Sequence, residues 1–306
     1  MKVHFGLPAG RTEACWLTIG SYDGIHRGHQ KVLEHVVSAA GRGAGGSAML
    51  TFDPHPRCIL APDTCPPTLT TVDEKEALLG ELGVDHLVVL PFTRKLSRLT
   101  AEEFLDRIAD RVPIHGMVIG HDFAFGRDRQ GNREFLEAYG RRHGFQVEVV
   151  EPYSLEGQVV SSSVVRSLLL EGNVAHAARL LGRHYSISSF VEHGTGTGSR
   201  IGYPTANFAI TPNKLVPHNG VYAVWIDIDG HAYQGAMNIG YRPTFGENRL
   251  TVEAFILDFE GDIYHKDVRA RFVQRIRDEK KFDSVDALVA QIGHDVERAR
   301  GIMRRS

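Results

Sequence analysis

The chain has 306 residues, 42% of them hydrophobic and 24% charged, which is the make-up of a globular protein with one large domain or two ordinary ones. Its 35 basic and 37 acidic residues leave a net charge of −2, which excludes a global field for nucleic acid or membrane, so an anionic substrate must be held by local groups. Three cysteines (Cys15, Cys58, Cys65) with no Cys-x-x-Cys pair argue against a disulfide framework, and Met1–Gly6 lacks a signal-peptide core; the expected compartment is the cytoplasm.

In chain order, the apolar run Trp16–Ile19 reads as a strand that feeds Gly20-Ser21-Tyr22-Asp23-Gly24-Ile25-His26-Arg27-Gly28-His29, with an amphipathic segment following. A glycine-punctuated turn before a helix start is an anion site, because unpaired N–H groups and the helix dipole both favour negative charge. His26 and His29 add donors that can follow charge building on a phosphate, or are surface histidines at a helix cap. Metal ligation by the pair would need a further ligand, and helical pairs prefer a spacing of four. The Gly-x-Gly-x-x-Gly and Gly-Lys-Ser/Thr phosphate patterns are both absent at this turn.

Apolar runs at 47–52, 86–90, 117–120 and 145–150 read as buried parallel strands, with helices expected near 32–40, 72–82, 101–112 and 133–143. Thr71 with Glu74 and Thr100 with Glu103 are capping-box pairs. The alternation implies a doubly wound sheet whose ligand crevice lies at the strands' C-terminal ends. Three further segments carry chemistry there. Thr51-Phe52-Asp53-Pro54-His55-Pro56 is a histidine-bearing turn or simply a proline-stiffened loop. Gly120-His121-Asp122-Phe123-Ala124-Phe125-Gly126-Arg127, running on to Arg129 and Arg133, suits a flat anionic ligand, or is a solvated basic loop. Ser161-Ser162-Ser163-Val164-Val165-Arg166 can bind pyrophosphate through hydroxyls, N–H groups and guanidinium, or is a serine cap with a surface arginine.

Together these segments resemble the adenylyltransferase half of bacterial FAD synthetases, within the HxGH nucleotidyltransferase superfamily. Gly20–His29 is similar to the family's Gly-x-Phe/Tyr-Asp-Gly-x-His-x-Gly-His. TFDPHP is similar to TFEPHP, GHDFAFG to G-x-DFRFG, and SSSVVR to SSTxIR. The resemblance implies that His26 and His29 contact ATP phosphates, that Ser162, Ser163 and Arg166 hold the departing pyrophosphate, and that Asp122 lies by the nucleotide. Gly20, Tyr22, Asp23, Gly24, His55 and Phe123 join them as implied binding residues. Ala124 stands where the family usually has arginine, and Ser163 where it usually has threonine.

After Gly182 strand-and-turn signals replace the alternation. Val221–Ile228 puts Tyr222, Val224, Ile226 and Ile228 on one face, Asp229-Gly230 is a hairpin turn, and 233–239, 250–257 and 267–276 add strands. A stripe of Val285, Leu288, Val289, Ile292 and Val296 marks a terminal helix. The expected unit is a small β-barrel closed by that helix, with the boundary between residues 182 and 183.

The loop His193–Gly202 is glycine-rich. Beyond it, Thr205 and Asn207 project to one side of an extended segment, as hard oxygen ligands suited to Mg²⁺ with bound phosphates. Glu253, mid-strand in an apolar run, faces either solvent or a site. Gly202-Tyr203-Pro204-Thr205-Ala206-Asn207 resembles the GFPTAN signature of riboflavin kinases, with Asn238-Ile239-Gly240-x-x-Pro243-Thr244-Phe245-Gly246 in family order. The resemblance implies Glu253 as general base, Thr205 and Asn207 as Mg²⁺ ligands with ATP, and Gly198, Arg275 and Arg277 as binding residues. Arg275, Arg277, Glu279 and Phe282 fall in an R-x-R-x-E-x-x-F segment that borders the flavin pocket of that family. The whole implies a bifunctional riboflavin kinase/FAD synthetase using ATP and Mg²⁺, with riboflavin, FMN and FAD as substrates or products and with neither nucleic acid nor membrane as partner. Two alternatives are a kinase whose adenylyltransferase half has weakened at Ala124, and a non-catalytic flavin-binding regulator.

Overall fold

The structure, a computed structural model, describes residues 1–43, 45–192, 198, 201–244 and 247–305; the side chains of 242–249 also lie outside that description. Most of the glycine-rich loop (193–197, 199–200) and the Phe245-Gly246 pair are therefore not described. The chain divides into two compact units, Met1–Ser162 and Ser163–Ser306.

The first unit is a parallel sheet in the order β1 (Lys2–Phe5), β4 (His86–Pro91), β3 (Gly46–Asp53), β2 (Cys15–Ile19), β5 (Ile114–Gly120), β6 (Gln146–Val150). β2 is buried at every position because both faces of the sheet are covered. Its alternation sends Leu17 and Ile19 to a core with Leu50, Leu105 and Leu136, and Trp16 to another with Leu33, Val36 and Met49. Helices α1 (Arg27–Arg42), α2 (Pro56–Leu60), α3 (Val72–Glu81), α4 (Ala101–Ala109) and α5 (Arg133–His143) lie between the strands. Thr71–Glu74 and Thr100–Glu103 form full capping boxes on α3 and α4, as local sequence predicts. From β2 the chain builds outward to β3 and β4, then returns to β5 on β2's other side. The topological switch point therefore lies over the C-terminal ends of β2 and β5, where ligands bind in such sheets.

One sequence expectation is corrected. Cys58 and Cys65 form a disulfide, leaving Cys15 as the free cysteine. An odd cysteine count without Cys-x-x-Cys says nothing against a single bridge across a short loop, here a separation of 7 residues. The edge strand β1 carries no apolar run and was not anticipated.

A short hairpin of β7 (Ser154–Leu155) and β8 (Gln158–Val159) ends the first unit, and the second begins at the second residue of α6 (Ser162–Leu170), followed by α7 (Val174–Leu181). It continues as a closed barrel in the order β10 (Thr205–Phe208), β13 (Glu247–Ile256), β12 (His231–Thr244), β11 (Gly220–Ile228), β14 (Asp267–Arg277), β9 (Tyr185–Glu192). Tyr222, Val224, Ile226, Met237, Ile239 and Ala254 fill its interior, each at most 0% exposed. The terminal helix, Val285–Met303, packs Ala299, Ile302 and Met303 on the outer face against Val221, Ala223 and Ile276. Doubly wound sheet, then barrel with a terminal helix, is the architecture the sequence predicts.

Candidate active sites

In the first unit the turn after β2 is held from below. Asp23 is buried, and its carboxylate accepts the Leu69 N–H at 2.9 Å and the Thr70 N–H at 3.0 Å. The Gly24 N–H donates to Thr70 Oγ1 at 3.0 Å. Asp23 and Gly24 therefore build the turn. The turn needs that support, because Tyr22 (φ 44°) and Ile25 (φ 41°) both sit in the left-handed region, at a cost of roughly 1–3 kcal/mol each. A side chain at Gly20 would meet the Tyr22 ring at 2.9 Å, so the tight turn requires glycine there. Tyr22 Oη hydrogen-bonds Thr18 Oγ1, and burial pushes its phenol pKa up.

His26 is the N-cap of α1, its Nδ1 accepting the His29 N–H at 3.3 Å. That bond places the proton of a neutral His26 on Nε2, which is then a donor. The two imidazoles stack with centroids 3.6 Å apart, and Tyr22 backs His29 at 4.8 Å. Both rings thus sit at the positive end of α1. Ser162, at the start of α6, donates its hydroxyl to the Asp23 carbonyl at 2.8 Å, so the serine motif begins against the turn. Ser163 and Arg166 follow on α6, beyond the end of this unit.

Beside the turn lies a cleft of about 660 Å³ lined by Gly20 and Ser21, by the rings of Phe52, Phe92, Phe104, Phe123 and Phe125, and by Asp122, Ala124, Arg127 and Arg129. Flat aromatic walls with arginines at one side suit a planar ligand carrying an anion. The structure brings Gly20, Asp122 and Phe123 together here. Tyr22, Asp23, Gly24, His26 and His29 are not part of this lining. His55 caps α2 by accepting the Arg57 N–H at 3.2 Å, while its neighbour Pro56 lines the cleft.

In the second unit the barrel's register makes the site. Glu253 on β13 stands opposite Asn207 on β10 and opposite Asn238 on β12, giving a row of three polar side chains across neighbouring strands. The next row is Thr205, Phe255 and Ala236. Alternate residues Ala206, Ala254 and Met237 point into the barrel, so both rows lie on its outer face. A cleft of about 240 Å³ opens there, lined by Gly198, Tyr203, Thr205, Asn238, Glu253, Phe255, Arg277, Glu279, Phe282, Leu288, Ile292 and Asp295. The sequence left Glu253 between solvent and a site; the register turns it to the cleft. A Cβ on Gly198 would meet the Tyr203 carbonyl at 2.3 Å, so this glycine lets backbone close on Thr205.

Arg277 is fixed in the cleft wall. Its guanidinium donates to both oxygens of the buried Asp295, with contacts of 2.7 to 3.0 Å, and lies over the Phe282 ring at 5.8 Å. Arg275 is elsewhere, bonding His218 and the Asn219 carbonyl and lying against Gly172 and Gly220. It braces the 218–220 loop rather than lining the cleft. Tyr222, on the barrel side of the same loop, has its phenol pushed up to about 12 by burial. Asn238 and Asp295 were not singled out as site residues; for Asn238 the signal was its place in Asn-Ile-Gly, whereas an aspartate in a polar helix carries none.

Family models match the chain twice, FAD synthetase over residues 9–164 and riboflavin kinase over 181–303. The chain is 39% identical to the bifunctional riboflavin kinase/FMN adenylyltransferase of Pseudomonas fluorescens, over 94% of this chain and 93% of that one. The chain belongs to that family. The Escherichia coli K12 member is 35% identical over 94% of this chain and 92% of its own. A solved structure described as a macrolide-efflux protein from Streptococcus pneumoniae superposes at TM-score 0.88 with 33% identity, covering 98% of each chain. No helix among the described residues is long and apolar enough to cross a membrane. With riboflavin kinase/FMN adenylyltransferase membership, the two clefts correspond to one matched domain each.

The family's Mg²⁺ has a compatible donor set in the second cleft. Thr205 lines the cleft with its hydroxyl, and Asn207, two residues along the same strand, outside that lining but paired with Glu253, adds an amide oxygen; both are hard ligands of the kind Mg²⁺ takes alongside nucleotide phosphates.

Proposed function

We propose that the barrel phosphorylates riboflavin to FMN and that the first unit adenylylates FMN to FAD, with ATP as co-substrate in both steps. What carries this reading is the pair of separate clefts, each inside its own compact unit and each lined by a family motif. The functional boundary is placed between residues 182 and 183, and the cytoplasm is the expected compartment. Small molecules are the partners; neither nucleic acid nor membrane enters the reading.

In the kinase step Glu253 accepts the proton of the ribityl 5′-hydroxyl as that oxygen attacks the γ-phosphorus of ATP; the new O–P bond forms as the bond to ADP breaks. Thr205 and Asn207 would hold Mg²⁺, which when bound neutralises charge on the transferring phosphates. Arg277 and the aromatic wall of Phe255 and Phe282 orient the flavin.

In the adenylyl step an FMN phosphate oxygen attacks the α-phosphorus in line and pyrophosphate leaves, with no covalent enzyme intermediate. His26 Nε2–H and His29 donate to the phosphates at the α1 N-terminus. By the family resemblance, Ser162, Ser163 and Arg166 are the residues assigned to the leaving pyrophosphate. The isoalloxazine fits the phenylalanine-walled cleft, where Arg127 and Arg129 stand beside Ala124 and supply the cationic character that alanine lacks.

The test is chromatography of riboflavin, ATP and Mg²⁺ incubated with the protein. FMN appears first and FAD follows; absence of both products overturns the reading.

A further inference from the structure

Beneath the turn lies a group that the chemistry above does not use. Lys75, on α3, is 5% exposed, and its Nζ donates to the Ser21 carbonyl at 3.0 Å and to Thr51 Oγ1 at 3.4 Å. Thr51 Oγ1 itself donates to the same carbonyl at 3.1 Å. An ammonium has three donors, and both of these acceptors are neutral. Among the described residues no carboxylate lies within ion-pair distance of Nζ; Asp23 and Asp53 act on it only from farther off, and Asp23 already accepts from Leu69 and Thr70. Burial lowers the Lys75 pKa, with those two aspartates opposing the shift. A buried cation without an adjacent counter-ion is costly in an empty site.

Its position shows what it can act on. Ser21 lines the cleft, and its carbonyl is drawn inward by Lys75 and Thr51. In a trans peptide the next N–H points the opposite way, so Tyr22 N–H turns away from Lys75. That N–H has no partner among the described residues. Lys75 therefore fixes the Ser21–Tyr22 peptide where the left-handed turn begins, with a positive charge behind the carbonyl and the N–H on the opposite side.

We propose that Lys75 is a positioning residue for adenylyl transfer, a buried ammonium that orients the Ser21–Tyr22 peptide and whose counter-charge is the phosphate chain of the bound nucleotide. The proposal rests on reading the first unit as the adenylyltransferase. It implies that the charge is maintained for the bound state and that the empty protein gains little stability from it.

The experiment compares Lys75→Met with wild type in the full chain, measuring FAD formation from FMN and ATP, FMN formation from riboflavin, and thermal unfolding. Methionine keeps the length and removes the charge. The expected result is a fall of about tenfold or more in kcat/KM for ATP in FAD formation, the scale of a lost charge-assisted hydrogen bond. The expected Tm is unchanged or raised, and FMN formation stays unaltered. Lys75→Arg, which restores the charge, is expected to recover part of the loss. FAD formation within twofold of wild type overturns the proposal, and so does a loss accompanied by a lowered Tm that arginine does not recover. A wild type that makes no FAD removes the underlying reading instead, so the two failures are distinguishable.

Discussion

Glu253 stands directly across from Asn207 on the neighbouring strand, so the candidate base and a candidate Mg²⁺ ligand are adjacent by register alone. Directly opposed residues have Cβ atoms about 4.5–5.5 Å apart, close enough for both to serve one phosphoryl group.

Replacing Glu253 with alanine should therefore lower FMN formation by roughly 10²–10⁴-fold, the usual worth of a positioned general base. FAD formation from supplied FMN should be unchanged. Separate steady-state assays of the two steps check this.

Arg277 and Asp295 form a bidentate pair with side chains 14% and 5% exposed. Asp295→Ala leaves a nearly buried guanidinium without its partner, and breaking such pairs costs about 3–5 kcal/mol. The variant should show a lower unfolding midpoint by calorimetry and a raised KM for riboflavin, because the cleft wall loses its fixed arginine. Asp295→Asn, which keeps the shape and one acceptor, should lie between the two.

His26 carries two jobs that substitution can separate. Alanine removes both the α1 cap, worth about 1 kcal/mol, and the Nε2–H donor. Asparagine is a good cap and should return the stability without returning FAD formation. If His26→Asn proved as active as wild type, the imidazole would be a cap only.

The structure pairs Cys58 with Cys65 and buries Cys15, whose thiol burial pushes up to about 11. Denatured, unreduced protein should thus titrate one thiol per chain, and reduced protein all three. Three thiols without reductant would contradict the pairing.

What local sequence encodes was legible. Both capping boxes, the helix Arg133–His143 and the alternation of Val221–Ile228 need only neighbouring residues to be read. What depends on distant partners was not. Asp23 belongs to a motif that suggests nucleotide contact, yet its partners Leu69 and Thr70 lie 46 and 47 residues away and turn it inward. Glu253 could be assigned a face only once β13 was paired with β10 and β12. Arg275 and Arg277 share a strand and a pattern, but only Arg277 meets the helix that carries Asp295.

The central claim is two independent active sites in one chain. Its most direct test is complementation: Glu253→Ala and His29→Ala proteins are mixed with riboflavin, ATP and Mg²⁺, and the products are separated by chromatography. Alone, the first should make at most a trace of FMN from riboflavin and the second should stop at FMN, while the mixture should produce FAD. Loss of both activities in either folded variant, or a mixture that yields no FAD, would contradict the division.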